Sequence, residues 1–160
     1  MTSDAVHDGM KELPESACKE FLAEHRVGVM ALAKGGDAYA VPLFFAYDGQ
    51  VLYFHSHPGQ KDSFLAETHE GCFVVVELHG DDDWTSVQAT GVVEKITLSD
   101  DATQALNAMA ENPFPPEFGV DAKGNPRRSS DKMYLWMMKP RKITGRTSRS
   151  LVRVKDSDER

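Results

Sequence analysis

The sequence predicts a mainly β fold, a β-barrel accompanied by a few short helices. Two turn signals, Gly35–Gly36–Asp37 and Asp48–Gly49, each join stretches that are rich in β-branched and aromatic residues, which is the pattern of consecutive β-hairpins. The chain has 160 residues, of which 41% are apolar and 27% are charged, and this is typical of one soluble globular domain. The later segments continue the β pattern, so we expect an antiparallel barrel.

The first half of the domain is predicted to contain one helix and three strands. Cys18 and Leu22 recur at helical spacing after Pro14, so a helix is expected over about residues 14–25. The strands are expected over residues 27–33, 39–47 and 51–55. Pro42 lies inside the second strand, and because proline has no backbone N–H, it indicates an edge, a bulge or a place where the backbone faces a ligand.

The second half is predicted to combine two helices with further strands. One helix is expected to begin near Gly59 or Gln60 and to end at Gly71, because glycine commonly terminates helices. Another is expected to run from an N-cap at Ser99 to about Asn112, since serine caps helix N-termini well. Four segments have a β pattern: residues 72–78, 86–97, 134–138 and 143–148.

One domain is expected between two tails. Residues 14–150 carry the pattern of a single domain, residues 1–13 are expected to form a flexible N-terminal tail, and residues 151–160 a charged C-terminal tail. Residues 113–131 contain four prolines and two glycines, which predicts a long loop that a partner or ligand would order.

The composition argues against several classes of function. The formal net charge is −7, whereas a surface that binds nucleic acid needs an excess of Lys and Arg. Cys18 and Cys72 belong to no metal-binding motif, so we expect reduced thiols and no metal site. The acidic loop at residues 80–83 is expected to be solvated. The sequence contains no apolar export signal and no run of about 18–20 apolar residues, so a cytoplasmic location without membrane association is expected.

The stretch best suited to hold a ligand is residues 55–61, HSHPGQK, where a strand is followed by a helix. A helix N-terminus carries unpaired N–H groups and partial positive charge. Ser56 adds a hydroxyl and Lys61 a full charge, so this phosphate segment (residues 55–61) predicts an anion site. The alternative is that Ser56 only caps the helix and Lys61 is solvated. The nucleotide-binding motifs GxxxxGK[ST] and GxGxxG are absent, which argues against those sites.

These residues belong to a longer stretch that resembles a known family. The sequence VGVMALAKGGDAYAVPLFFAYDGQVLYFHSHPGQKDSFLAETHEGCFVVVEL is similar to the core of pyridoxamine-5'-phosphate-oxidase-like FMN-binding split-barrel proteins, especially the branch of nitroimidazole-resistance-type flavoproteins. The resemblance covers roughly residues 14–112, and ITGRTS near the end is also similar. Its most specific parts are AVPLFFAYDGQVLYFHS, the G-x-K step that follows, and S-V-x-x-x-G at residues 86–91.

The resemblance implies a homodimer of split barrels that binds FMN at the subunit interface. The residues that match cofactor-binding positions form three groups: His55, Ser56, Gln60 and Lys61 for the phosphate and ribityl chain, Val41, Pro42 and Leu43 beside the flavin ring, and Ser86 and Val87 on a neighbouring strand. Many family members have Arg next to the matched Lys, whereas this chain has Gln60. No residue is assigned a catalytic role.

The resemblance further implies a flavin-dependent oxidoreductase that passes electrons from a reduced nicotinamide, NADH or NADPH, to a small acceptor. The alternative is a binding or carrier protein without turnover. Deazaflavin F420 could replace FMN, because both present a phosphate and a similar tricyclic ring. Haem is a further alternative, because imidazole is a common metal ligand and the phosphate segment contains His55 and His57.

Overall fold

The structure is a computed structural model that describes residues 10–56, 59–67, 69–111 and 134–148. The described residues do not include the C-terminal tail, most of the N-terminal tail, the loop at residues 113–131 or His57. The strands are β1 (Lys11–Glu12), β2 (Val27–Lys34), β3 (Asp37–Tyr47), β4 (Leu52–Ser56), β5 (Glu70–Leu78), β6 (Trp84–Lys95) and β7 (Tyr134–Thr147). The helices are α1 (Glu15–Glu24), α2 (Gln60–Glu67) and α3 (Ser99–Glu111).

Strands β2 to β7 close an antiparallel barrel. The order in the sheet is β1-β7-β4-β3-β2-β5-β6, and β6 also pairs with β7, which joins the two sides of the sheet. Strand β1 adds a two-residue pairing to the C-terminal end of β7. This architecture confirms the mainly β fold, a barrel with a few helices, that the sequence predicts.

The predicted turns set the register of the first two hairpins. Gly35 and Gly36 have φ values of 54° and 86°, a region that glycine adopts without steric cost, and β2 pairs with β3 along its whole length. At the second turn, Asp48 Oδ1 accepts hydrogen bonds from the N–H groups of Gln50 and Val51 at 2.8 and 2.7 Å. Both hairpins therefore form where the sequence predicts them.

Strand β3 changes its pairing along its length. Residues 45–47 pair with residues 52–54 of β4, whereas the part of β3 that contains Pro42 pairs with β2. Pro42 lies opposite Val29 in that pairing. The missing N–H of Pro42 is therefore accommodated beside the short β3–β4 ladder, as expected for a proline within a strand.

The barrel interior is filled by aromatic and aliphatic side chains. Phe73 makes edge-to-face contacts with Phe45 and Phe54, with ring centroids 5.0 and 4.9 Å apart. Helix α1 adds Cys18 and Leu22 to this core, and α2 adds Phe64 and Leu65. Helix α3 packs on a second cluster, formed by residues such as Ala46, Tyr53 and Met137. None of the three described helices is long and apolar enough to cross a membrane.

Two sequence predictions about these elements were wrong in detail. Gly71 does not end α2 but lies within β5, opposite Gly91 of β6. A Cβ at Gly71 would lie 2.8 Å from Val93 Cγ2, so the glycine is required by close packing between strands. The two β segments predicted at residues 134–138 and 143–148 form one continuous strand, β7, which passes through Pro140.

Candidate functional site

The phosphate segment connects the end of β4 to the start of α2. Ser56 is the last residue of β4 and is only 8% exposed. Its Oγ is buried and has no hydrogen-bond partner in the structure. A buried hydroxyl without a partner is unusual, because leaving it unsatisfied costs about 1–3 kcal/mol. Ser56 is therefore suited to contact a bound group.

Lys61 lies in the first turn of α2 and is only 7% exposed. A Cβ built on Gly59 would lie 3.7 Å from Lys61 Nζ. The ammonium group is thus held close to the backbone where α2 begins. A positive charge held at the N-terminal end of a helix suits a negatively charged group.

Asp62 supplies the helix cap that, in the alternative interpretation of the sequence, Ser56 would supply. The N–H of Gly59 donates to Asp62 Oδ2 at 2.6 Å, which is the interaction of an N3 carboxylate with the N-cap residue. This N–H is therefore not available to a ligand. Asp62 was not predicted as a cap, although its position three residues after Gly59 is the sequence signal of one.

The remaining predicted residues differ in what they present to a ligand. Gln60 is exposed at the start of α2, and His55 is half-buried beside Leu135 of β7. On β3, the side chains of Val41 and Leu43 pack against the core, whereas Pro42 is exposed.

On β6, Ser86 is half-buried and Val87 is fully buried in the core. A ligand on the outside of the barrel can therefore reach the side chain of Ser86 and only the backbone of Val87.

Within one chain, Ser86 and Ser56 lie towards opposite ends of the barrel. Ser56 pairs with Tyr134 at the start of β7. Two residues further along β7, Trp136 pairs with Lys95 at the end of β6. Ser86 and Lys95 are nine residues apart on the same strand, a distance of about 30 Å at ~3.3 Å per residue. The phosphate-segment residues therefore lie at the junction of β4 and α2, whereas Ser86 and Val87 lie near the other end of β6.

The outer side of the barrel presents an apolar surface across neighbouring strands. Pro42, Val29, Val74 and Gln88 lie side by side on β3, β2, β5 and β6, and directly opposed residues of antiparallel strands share one face. The outer apolar face is defined by the exposed side chains of Val27, Val29, Val76 and Leu78. Beside it, Trp84, Ser86 and Arg146 line a cleft of about 250 Å³.

The described residues contain no group of three or more His, Cys, Asp or Glu side chains that could hold a metal ion. Both cysteines are free thiols, Cys18 buried and Cys72 half-buried. Burial raises the pKa of the Cys18 thiol above its usual value.

Comparison with known proteins places these features in a family context. A family model described as pyridoxamine 5'-phosphate oxidase matches residues 14–147. An uncharacterized protein of Rhizobium meliloti (strain 1021) is 24% identical over 87 residues, which are 54% of this chain and 58% of that protein. The alignment thus spans little more than half of that curated relative.

Solved structures extend the comparison to the whole fold. An FAD-binding protein of Mesorhizobium loti superposes with a TM-score of 0.70 at 26% identity, over 86% of this chain and 97% of that one. A proposed 5-nitroimidazole antibiotic resistance protein of Bacteroides thetaiotaomicron superposes with a TM-score of 0.64 at 20% identity, over 87% and 89% of the two chains. At 20% identity, the similarity to the Bacteroides thetaiotaomicron protein shows a shared fold.

Proposed function

Because the chain belongs to the pyridoxamine 5'-phosphate oxidase family, whose model matches residues 14–147, we propose that it binds FMN and acts as an oxidoreductase. Family membership and the split-barrel fold confirm the resemblance identified from the sequence. In the proposed reaction, electrons pass from a reduced nicotinamide, NADH or NADPH, to a small acceptor. The Mesorhizobium loti relative is described as FAD-binding, which supports a flavin as the cofactor class.

The observation that carries this proposal is that the phosphate segment holds both a buried hydroxyl without a partner and a buried cation. Ser56 Oγ has no hydrogen-bond partner. Further along the phosphate segment, Lys61 Nζ lies close to the backbone of Gly59. A phosphate would accept a hydrogen bond from the Ser56 hydroxyl and pair with the Lys61 ammonium, and such charge-assisted contacts are among the strongest available to a protein. FMN carries a single terminal phosphate of this kind.

The flavin ring is proposed to lie against the strands beside Pro42, at an interface between two copies of the chain. Val76 and Leu78 are 54% and 75% exposed, and apolar side chains grouped on one face commonly mark a protein contact. A two-fold interface buries the same patch on both copies. Such an interface would also bring Ser86 of one copy towards the phosphate segment of the other. Within one chain the two are separated by about 30 Å along β6.

The protein residues in this proposal bind and orient the cofactor. Bound FMN would supply the redox chemistry, the transfer of two electrons between donor and acceptor. Ser56 and Lys61 would fix its phosphate, and the outer apolar face, covered by a second copy, would keep water from the ring. No acid or base among the described residues is assigned to the reaction.

The proposal is tested by titrating the purified chain with FMN, FAD, F420 and haem while absorbance and fluorescence spectra are recorded. We expect FMN to bind most tightly, and the flavin band near 450 nm to bleach on anaerobic addition of NADH or NADPH and to return with an acceptor. FMN binding without bleaching by either nucleotide would favour the carrier function. Preference for FAD, F420 or haem would overturn the choice of FMN.

A further inference from the structure

A separate cavity of about 410 Å³ lies between α2, β6 and the start of β7. Its apolar walls come from Leu65, Ala66, Val92 and Val93, and its polar lining from Asp62, His69, Glu94, Lys95 and Trp136. Ser56 and Lys61 do not line it, so it is distinct from the phosphate segment. Its volume is within the range of small-molecule sites, roughly 300–1,000 Å³.

Two residues that line this cavity carry buried polar atoms with no hydrogen-bond partner. These atoms are Trp136 Nε1 and Asp62 Oδ1. An indole N–H can only donate, whereas an ionised carboxylate oxygen can only accept. Native structures contain few such orphaned atoms, and two of opposite type around one cavity suggest a ligand that satisfies both.

We propose that this cavity binds a small, neutral aromatic carboxamide. The carbonyl oxygen would accept a hydrogen bond from Trp136 Nε1, the amide NH₂ would donate to Asp62 Oδ1, and the ring would pack between Leu65 and Val92. A carboxylic acid is disfavoured, because its anion cannot donate a hydrogen bond to Asp62 Oδ1 and would place two carboxylate oxygens against each other there. The inference does not depend on FMN binding.

The carboxylate of Asp62 is held in place before any ligand binds. Its other oxygen, Oδ2, accepts the Gly59 N–H at 2.6 Å, which fixes the orientation of Oδ1. Preorganised groups of this kind lose little conformational freedom on binding. Because Asp62 also caps α2, its substitution would disturb the helix, and Trp136 is the better residue to change.

The experiment is a ¹⁹F NMR titration of the full-length protein with 4-fluorobenzamide, followed by competition. We expect saturable broadening of the ligand signal and displacement by benzamide. Methyl benzoate lacks the donor and benzoate also carries a charge, so each is expected to compete at least about fivefold more weakly, the equivalent of one hydrogen bond. Equal competition by benzoate would overturn the proposed chemistry.

Matched variants locate the site. Trp136→Phe is expected to weaken 4-fluorobenzamide binding about five- to tenfold, while Trp84→Phe, which removes the other indole, leaves it unchanged. Ala66→Phe should fill the cavity from the exposed side of α2, whereas Ala23→Phe on the exposed side of α1 serves as its control. Both alanines are exposed helical residues, so these two variants are expected to fold.

Unchanged binding in both Trp136→Phe and Ala66→Phe, or no saturable binding to the wild type, would overturn the proposal. FMN titration of the same samples separates this result from the proposed function. A wild-type protein that binds FMN but not 4-fluorobenzamide contradicts only the cavity proposal, and one that binds 4-fluorobenzamide but not FMN contradicts only the cofactor proposal.

Discussion

Both terminal nitrogens of Arg141 donate hydrogen bonds of 2.6 Å to the two carboxylate oxygens of Glu70. Arg141 is the extra residue of a β-bulge in β7, because Thr90 of β6 pairs with Lys142 while the next residue, Gly91, pairs with Pro140. The ion pair therefore links β7 to β5 across the intervening strand at the point where the ladder is interrupted.

The bulge changes which residues of β7 face the barrel interior. Before it, Trp136 and Met138 pack in the core, and after it Ile143 does so. Without an extra residue, strict alternation would turn either the first pair or Ile143 outward. Gly91 permits this geometry, because a Cβ there would lie 2.5 Å from the carbonyl oxygen of Lys139.

The Glu70–Arg141 pair makes one contribution to stability dependent on pH. Hydrogen bonds from Arg141 lower the pKa of Glu70 below its usual value, so this contribution is present above the ordinary carboxyl pKa and is lost as the pH falls through the lowered value. An NMR titration of the Glu70 carboxyl carbon is expected to show a normal pKa in Arg141→Gln. An intermediate pKa is expected in Arg141→Lys, because lysine keeps the positive charge but cannot donate two parallel hydrogen bonds as the guanidinium does. Identical titration in all three proteins would contradict the role of the pair.

Close packing of α1 against β7 predicts that Gly145→Ala destabilises the fold. A Cβ at Gly145 would lie 2.6 Å from Cys18 Sγ and 3.2 Å from Val87 Cγ2, and overpacking of a core typically costs about 1–3 kcal/mol. The free energy of unfolding, measured with urea, should fall by that amount. Gly80→Ala is the control, since its nearest neighbour would be 4.0 Å away, and an equal loss in both variants would argue against this explanation.

Tyr53 predicts a loss of stability at alkaline pH. Burial and the neighbouring carboxylate of Asp48 raise the pKa of Tyr53 to about 12, and its hydroxyl donates to Asp48 Oδ2 at 3.1 Å. The stabilisation that protonated Tyr53 gives the folded state is complete below pH ~10, the pKa of tyrosine in the unfolded chain. As the pH rises from there to the pKa of Tyr53 in the folded protein, this stabilisation falls by about 1.4 kcal/mol per pH unit. Urea unfolding at pH 8 and pH 11 should show a smaller decrease for Tyr53→Phe than for the wild type, and equal decreases would contradict the prediction.

The proposed dimer predicts that a charge on the outer apolar face separates the subunits. Val76→Glu should shift the protein from dimer to monomer in sedimentation velocity and weaken FMN binding, because burying an unpaired carboxylate is costly. Leu106→Glu is the matched control, since Leu106 is similarly exposed, at 58%, but lies on α3. A monomeric wild type, or a dimer that survives Val76→Glu, would argue against this interface.

The local parts of the fold were predictable because short-range chemistry determines them. Gly35, Gly36 and Gly49 all have positive φ, and the two turns identified in the sequence contain these glycines. The continuity of β7 through Pro140 was not predictable, because a proline normally ends a strand ladder and the compensating bulge depends on β6. The same is true of Gly71, whose role follows from contact with Val93.

The burial of the candidate site residues was partly predictable from the sequence. Ser56 and Lys61 were singled out because hydroxyl and ammonium groups at a strand–helix junction suit an anion, and both are buried in the structure. The cap by Asp62 has a local sequence signal, the spacing of three residues from Gly59, and was therefore predictable as well. The cavity beside Trp136 had none, because β6 and β7 are brought together only by closure of the barrel.

The most direct test of the account is the FMN dissociation constant of the wild type and of the Ser56→Ala, Lys61→Met double variant. Lys19→Met serves as the control, because Lys19 forms an i,i+4 pair with Glu15 on α1, far from the phosphate segment in sequence. Each lost contact to a charged group should cost about 1.5–3 kcal/mol, so the double variant is expected to bind FMN at least about a hundredfold more weakly, with Lys19→Met unchanged. Equal affinity in the double variant and the wild type would contradict the assignment of Ser56 and Lys61 to the phosphate.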